Sequence, residues 1–413
     1  MLQSNLFYFP TREFPANEES INAKYLIKAG YVVKTSTGVY SFLPLGLKVL
    51  EKIANLVRKE MFTLGAQEIL MPALHPKDLW VKTGRWEKFD ALFRLKSRTD
   101  SWYALGPTHE EIIFPLVKRK INSYKDLPLA LFQIQTKFRD ELRAKSGLLR
   151  GREFLMKDLY SFHQTSDEVE KYKEKVEKSY QRIFKKLNLK VFKVLASGGT
   201  FSKYSVEFQV PCQYGEDEIK YCSNCNLAWN VEIQKNKNCP QCQNQLSLFK
   251  TIEVANTFNL GTKFSEFFDV KFKDKNGKEN FVFAGCYGLG ISRLLGTLVE
   301  VFHDDYGLCW PPIVSPFLVH LLILKTKIDK KEIEKFEKLF NSLNIDYLID
   351  DRQINFGEKL VESDLLGISY RLVISEKLKD KIEFKERFTK KIKIVSFSEL
   401  KNIFEKIKRE NEL

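Results

Sequence analysis

Residues 129–138 and 154–162 carry the alternating, β-branched and aromatic pattern of two strands, and the segment between them is dense in charge. It reads Phe138-Arg139-Asp140-Glu141 and then, after a short loop, Gly147-Leu148-Leu149-Arg150-Gly151-Arg152-Glu153-Phe154. A strand pair joined this way places arginines, a carboxylate and an aromatic ring around one turn. Arginine presents a planar fork of donors that matches phosphate oxygens. Glu141 can accept from an exocyclic amine, and Phe154 offers a flat apolar face. Such a set can hold a triphosphate by charge and a purine by stacking. A salt-bridged surface hairpin would use the same residues, and Arg-Asp-Glu strings are common, so this segment alone leaves both readings open.

At 413 residues the chain has room for two or three domains, and 44% hydrophobic content supplies large cores. The formal net charge of +14 suggests a polyanionic partner. Abundant Lys, Asn, Ile and Phe also fit a composition that inflates positive charge everywhere, so charge supports RNA binding only weakly. No run reaches the ~18 to 20 apolar residues of a membrane span. Residues 1–15 lack the basic start and apolar centre of a signal peptide and include Glu13, so a cytoplasmic protein is expected.

Helices are expected over residues 18–30, ending at Gly30, and over 45–64, with Leu47, Leu50, Ile53, Leu56, Val57 and Met61 on one stripe. Residues 32–42 form a hairpin turning at Thr37-Gly38, and 68–72 a strand stopped by Pro72. Further on come a strand at 103–105, a helix at 110–119 and a charged helix at 167–187 capped by Ser166. Strands follow at 206–210, 252–260 and 281–285, the last running through a glycine-rich turn into a helix at 291–301. After Trp310-Pro311-Pro312 strands and helices alternate: strands at 317–324, 345–349, 371–374, 381–384 and 391–395, a Lys/Glu-rich helix to about residue 343, a helix at 358–366 and a terminal helix. That is the pattern of a compact α/β domain, with the boundary at residues 311–316.

Cys222-x-x-Cys225 and Cys239-x-x-Cys242, thirteen residues apart, have the spacing of two zinc knuckles. Four thiolates make a closed tetrahedral site with no place for a reactive water, so a bound Zn²⁺ would be structural. Four free thiols are the alternative. Cys212, Cys286 and Cys309 lack partner spacing.

Taken with Gly106-Pro107-Thr108-His109-Glu110-Glu111 and Gly285-Cys286-Tyr287-Gly288-Leu289-Gly290-Ile291-Ser292-Arg293, these segments make the chain resemble the class II prolyl-tRNA synthetases of bacterial type, from about residue 25 to about 397. The resemblance implies an α+β catalytic domain over residues 1–312, an antiparallel sheet flanked by helices, and a C-terminal α/β anticodon-binding domain over 313–413. It implies activation of L-proline with ATP and Mg²⁺, then transfer to tRNA(Pro). The helix at 45–64 and the strand after it look like the family's first motif, which implies a homodimer.

Arg139 and Arg293 are then the catalytic cations. Arg139, Glu141, Arg150, Phe154, Glu253, Asn256 and Arg293 are the expected ATP set, with Arg293 across the base from Phe154. Thr108, Glu110, Arg139, Met156, His163, Phe208 and Phe258 are the expected proline set, and Asp351, Arg352 and Lys359 the expected anticodon contacts. Glu253-Val254-Ala255-Asn256 departs from the family's common Glu-Val-Gly-His. Where long bacterial members carry an editing domain, this chain has only the cysteine ribbon at about 220–250, which implies a short form and a separate trans-editing protein for any proofreading. A threonyl or seryl enzyme, or a non-catalytic RNA-binding relative, is the rival reading. A threonyl pocket would show Cys and His ligands for a catalytic metal lining the site, and the non-catalytic relative would lack Arg139, Glu141 or Arg293.

Overall fold

The charged hairpin lies inside a nine-stranded sheet. The computed structural model describes residues 1–144, 146–199, 201–325 and 330–411. The strands are β1 (Gln67–Glu68), β2 (Leu129–Phe138), β3 (Glu153–His163), β4 (Phe192–Ser197), β5 (Tyr204–Pro211), β6 (Asp217–Cys222), β7 (Leu227–Asn230), β8 (Ser247–Gly261) and β9 (Phe283–Gly290). They run in the order β5-β4-β7-β6-β8-β9-β3-β2-β1, with β5 also paired to β8. Only β1–β2 and β7–β4 are parallel.

Between β2 and β3 the register does not slip, from Leu129 opposite Phe162 to Phe138 opposite Glu153. The period of two therefore fixes the faces: Phe154, Met156, Asp158 and Tyr160 point one way, Leu155, Lys157, Leu159, Ser161 and His163 the other. The second face is the main core. Of the helices α1 (Ile21–Lys28), α2 (Pro44–Thr63), α3 (Glu110–Lys118), α4 (Ser166–Lys186) and α5 (Ile291–Val301), α4 packs on β8 and β9 and α5 on β3. Tyr180, Ile183 and Phe184 of α4 bury Phe208, Tyr287 and Leu289. On the first face, α3 lays Ile113 and Phe114 over Tyr160, Phe162 and Phe258, so only one end of that face is filled by apolar groups.

Several elements differ from the sequence expectation. The strand at 68–72 shrinks to Gln67–Glu68; beyond it the Met71 amide donates to Gln133 Oε1 and its carbonyl accepts from Gln135, so side chains replace the ladder. Helix α4 is capped by Thr165, whose hydroxyl accepts from the Glu168 amide, one residue before the expected cap. The glycine-rich stretch 286–290 is strand rather than turn, because β9 lies between β8 and β3 and uses both its edges. Strands β4, β6 and β7 were not visible in the pattern.

The C-terminal sheet has its own core. Strands β10 (Val319–Leu324), β11 (Tyr347–Asp350), β12 (Tyr370–Ser375), β13 (Lys381–Glu386) and β14 (Ile392–Ser396) run in the order β11-β10-β12-β13-β14, parallel among the first three and antiparallel after. Helices α6 (Lys330–Ser342), α7 (Phe356–Leu366) and α8 (Phe397–Asn411) accompany it. Residues 326–329, which belong to the expected α6 region, lie outside the described residues.

This sheet is tied to the rest of the chain by, among other contacts, Lys52 Nζ to Asp346 at 2.8 Å and Tyr31 OH to Leu366 O at 2.7 Å. Leu2 bridges to Ile349, with Gln3 bonded to His320 and Glu362. The Asp304 carboxylate accepts from both Arg387 Nη atoms at 2.6 and 2.8 Å.

The expected anticodon trio is engaged by other parts of the chain, and Lys359 alone of the three is buried. Asp351 accepts from the Ser4 amide and hydroxyl. Arg352 pairs with Asp350 and Glu362. Lys359 is buried and donates to the carbonyls of Ile323 and Asp350 at 3.0 and 3.1 Å, so it is a structural cation rather than an exposed RNA contact. Lys359→Ala would orphan both carbonyls, at about 1–3 kcal/mol for each unsatisfied group. We expect urea denaturation of Lys359→Ala to show a loss of about 2 kcal/mol or more.

Candidate active site

The open end of the first sheet face is a pocket. Its floor is the backbone of Gly288 and Gly290, and its walls include Arg139, Phe154, Met156, Asn256 and Arg293. A Cβ on Gly288 would sit 2.7 Å from Asn256 Oδ1, so glycine keeps that floor clear. Glu253 and Asn256 are three residues apart yet both line the pocket, because the β5–β8 register shifts there. Asn256 Nδ2 donates to Glu253 Oε1 at 2.9 Å.

Arg139 leaves β2 with its guanidinium 5.2 Å from the centre of the Phe154 ring. One Nη donates weakly to Pro107 O at 3.4 Å, and the buried Nε has no partner. Burial, and next the charge of Arg293, holds the Arg139 guanidinium below its usual range. Arg293 is fixed by Leu149 O at 2.8 Å, Glu253 O at 2.9 Å and the Glu253 carboxylate at 3.2 Å. Two cations thus share one pocket, and their nearest carboxylates do not occupy its centre. Arg139, not Arg293, covers Phe154.

Over the mouth, Arg150 donates to Glu141 at 2.9 Å and reaches Glu216 at 3.5 Å. The acceptor expected to read a base and the cation expected to grip outer phosphates are therefore paired with each other.

Deeper along the same face is a buried polar cluster. Glu110, in the first turn of α3, accepts from Thr108 Oγ1 at 2.7 Å, Arg85 at 3.1 Å, Tyr160 OH at 3.2 Å and Cys286 Sγ at 3.3 Å. Arg85 also bonds Glu111 at 3.0 Å, and lies 4.9 Å from the Phe201 ring. Lys137 pairs with Asp158 at 2.7 Å and donates to His109 Nδ1 at 2.9 Å. Burial, then the Lys137 charge, pushes His109 down to about 2, so its ring is neutral, Nδ1 accepts, and Nε2 donates to Pro72 O.

Phe258 adjoins this cluster, opposite Cys286 in the register. Phe208 and His163 do not: both lie on the far face, Phe208 packed on Tyr180 and Phe184, and His163 against Tyr172. Alternation explains this, since His163 is odd-numbered on a strand whose even positions face the pocket. Arg85, Lys137 and Asp158 escaped sequence reading. Arg85 comes from a four-residue helix with no periodic signal, while Lys137 and Asp158 looked like the polar half of alternating strands.

The ribbon cysteines meet. Their sulfurs all lie within 4.8 Å of one another, with Cys222–Cys242 at 3.5 Å and Cys225–Cys239 at 4.0 Å. A tetrahedral Zn–thiolate centre has S–S edges of about 3.8 Å, so the four fit that ion.

Two family models cover the chain: the class II tRNA synthetase core domain (G, H, P, S and T) over residues 93–302, and an anticodon binding domain over 319–407. The proline–tRNA ligase of Ehrlichia chaffeensis is 38% identical over 423 residues, covering 97% of this chain and 99% of that protein. That of the Wolbachia of Brugia malayi is 36% identical over 418 residues, covering 96% and 98%. The Sulfurihydrogenibium enzyme is 33% identical across 542 aligned positions, more than this chain has residues, covering 94% of this chain and 96% of that protein, so that relative carries segments absent here. Among solved structures, the Cryptosporidium parvum prolyl-tRNA synthetase with halofuginone and AMPPNP superposes with TM-score 0.78 at 20% identity, covering 94% of this chain and 77% of that one. The Giardia lamblia enzyme with prolyl-adenylate gives 0.78 at 21%, covering 92% and 75%. Among the described residues no helix is long and apolar enough to cross a membrane.

His163 is a test of the face assignment. Burial pushes its pKa down to about 4, against about 6.5 when unfolded. Between those values the unfolded chain binds the extra proton, so this contribution to stability is present above about pH 6.5 and lost as pH falls toward 4. We expect His163→Phe to flatten that part of the pH–stability curve, measured by denaturant melts, and to leave the proline KM unchanged.

Proposed function

The chain belongs to the class II proline–tRNA ligases, and from that premise we propose which of its residues carry each step. It joins L-proline to ATP, forming prolyl-adenylate and pyrophosphate, and passes the prolyl group to the 3′ end of tRNA(Pro). The observation that carries the assignment is the convergence of Arg139, its Nε buried and unpartnered, and Arg293 on one glycine-floored pocket.

Activation is an in-line attack of the proline carboxylate on the α-phosphate. Both partners are anions, and negative charge grows on the equatorial oxygens in the transition state. Arg139 bridges the carboxylate and the α-phosphate, relieving its own repulsion from Arg293. Arg293 stabilises the nucleotide from the β8–β9 side. Adenine slides onto Phe154, which requires Arg139 to turn from the ring toward the phosphates. At the mouth, ATP breaks the Glu141–Arg150 pair: Glu141 then accepts from the adenine amine and Arg150 follows the outer phosphates. Glu253 and Asp217 are among the four carboxylates, with Glu141 and Glu216, that line the adjoining cleft and would hold a Mg²⁺ ion, which would neutralise phosphate charge there.

The secondary ammonium of proline is held by Glu110 and Thr108, with Met156 and Phe258 against the ring. Arg85 keeps Glu110 aimed. A threonyl or seryl enzyme is disfavoured because the metal-fitting cysteines cluster in the ribbon, outside the pocket. In the second step the tRNA hydroxyl attacks the mixed anhydride, and AMP leaves with no protein nucleophile needed. The four cysteines hold a structural Zn²⁺, and the enzyme works in the cytoplasm. A second copy of the chain covers the β1 edge, where Phe62, Leu70 and Leu74 are exposed, forming a homodimer. The chain has no editing insertion, and an apolar pocket separates ligands differing by a methylene or two only weakly, so proofreading falls to a separate protein.

We expect Arg139→Ala to lower proline-dependent ATP–pyrophosphate exchange by about 10²–10³-fold or more, the scale of losing one preorganised charge donor, with an unchanged melting temperature. Exchange run across all amino acids should select proline, with alanine second. Purified protein incubated with Ala-tRNA(Pro) should not deacylate it above the uncatalysed rate; rapid hydrolysis would place proofreading in this chain.

A further inference from the structure

Strand β6 starts at the nucleotide pocket and ends at the cysteine cluster. Its first residue, Asp217, lines the cleft beside Glu253 and Arg293, and its last is Cys222. The residue just before it, Glu216, accepts from Ser146 Oγ and pairs with Arg150 at 3.5 Å. One five-residue step of extended chain, about 17 Å, therefore connects the loop over the nucleotide to the four sulfurs.

The strands around it form a closed circuit of pairings, from β8 to β5, β4, β7, β6 and back to β8. Asp217 lies opposite Thr251 on β8, two residues before Glu253. Inside the circuit the buried apolar residues are Val194, Ile219 and Ala228, with Phe192, Tyr221 and Phe249 half-buried beside them. Strands β5 and β8 are anchored in the main core by Phe208, Val210, Ile252 and Val254, but β6 and β7 rest on this small cluster, which does not hold them in place without a staple. The second knuckle adds little: among the described residues of 231–246, one isolated bridge, Asn238 to Gln245, represents the ladder. The cysteines thus supply the cross-link that the apolar packing lacks.

We propose that the cysteine ribbon is a positioning element of the nucleotide pocket: a metal held at Cys222, Cys225, Cys239 and Cys242 fixes β6, and β6 presents Glu216 to Arg150. The proposal rests on the metal reading of the four cysteines. Glu216 is a positioning residue. It holds Arg150 when adenine takes Glu141 away, so Arg150 keeps its station over the outer phosphates instead of moving into solvent. The proline contacts Glu110 and Met156 lie on α3 and β3, and Phe258 lies seven residues along β8 from Thr251, beyond the part of β8 that pairs with β6. The effect therefore falls on ATP and not on the amino acid.

The experiment uses the full-length enzyme. Metal is counted by plasma mass spectrometry before and after removal with a thiol-directed mercurial and chelator, and ATP–pyrophosphate exchange is measured at varied ATP and at varied proline. We expect one zinc per chain. The stripped enzyme should show an ATP KM raised about tenfold, the loss of one charge-assisted hydrogen bond, an unchanged proline KM, and recovery on adding Zn²⁺. Hydrogen exchange should quicken in residues 216–222 and 247–253 and not in β3. Glu216→Ala should reproduce the ATP effect with zinc still bound. Zinc bound but an ATP KM indifferent to its removal, or to Glu216→Ala, overturns the positioning role and leaves the metal site standing. A chain that binds no zinc even after incubation with it overturns the metal reading itself. Equal loss for ATP and proline, with faster exchange throughout the sheet, would show general destabilisation and also overturn the proposal.

Discussion

The repulsion between two guanidinium groups governs this site. Arg139 and Arg293 come from opposite ends of the catalytic sheet's sequence, yet β2, β3, β9 and β8 are neighbours, which brings both to one pocket. Neither can drift away. Arg293 is bonded to two backbone carbonyls and a carboxylate, and Arg139 is packed on Phe154 with its Nε enclosed. The fold brings two like charges to one pocket, so part of the reorganisation that water would need to stabilise a pentavalent phosphate is already built in. The unslipped β2–β3 register, the glycine floor on β9 and the shift in β8 all serve that placement.

Much of this was legible in the chain because it depends on local residue order. Arg139, Glu141, Arg150 and Phe154 occur within one hairpin, and two alternating runs flanking a charged turn are visible without coordinates. The helix α2 stripe and the βα alternation after Trp310 were equally direct. What was hidden depends on which face a strand presents and what covers it. Met156 and His163 sit on one strand with the same apolar surroundings in sequence, but an odd spacing sends His163 through the sheet to Tyr172. Lys359 read as an exposed RNA contact because lysine is rarely buried; two carbonyls and Asp350 make its burial tolerable here. The glycines at 288 and 290 read as a turn because strand propensity counts them against a ladder, whereas in β9 they are places where a side chain would fill the pocket.

The ionisable groups beneath the pocket form two sets with opposite fates. Lys137, His109 and Asp158 lie under the nucleotide end. A single strong pair, Lys137–Asp158, leaves the adjacent imidazole neutral, so no free charge competes with the arginines above. Under the proline end, Glu110 receives four donors while Arg85 is shared with Glu111. Burying a carboxylate is unfavourable unless every lone pair is satisfied, and here the satisfaction also fixes its direction.

That contrast sets the character of the two halves of the site. The proposed proline end is enclosed, with its Glu110 carboxylate held by four donors. A substrate there must replace a donor without gaining charge contrast, which suits a compact ring with a two-proton ammonium better than a larger amine. The nucleotide end is closed only by an ion pair at its mouth, Glu141 with Arg150, and by Arg139 resting on the ring that the base would cover. In the proposed binding mode both contacts are traded for contacts to ATP, and each trade turns a guanidinium toward phosphate. Binding energy from adenine is thereby converted into the alignment of cations, the form of ligand binding that lowers the barrier rather than merely deepening the ground state.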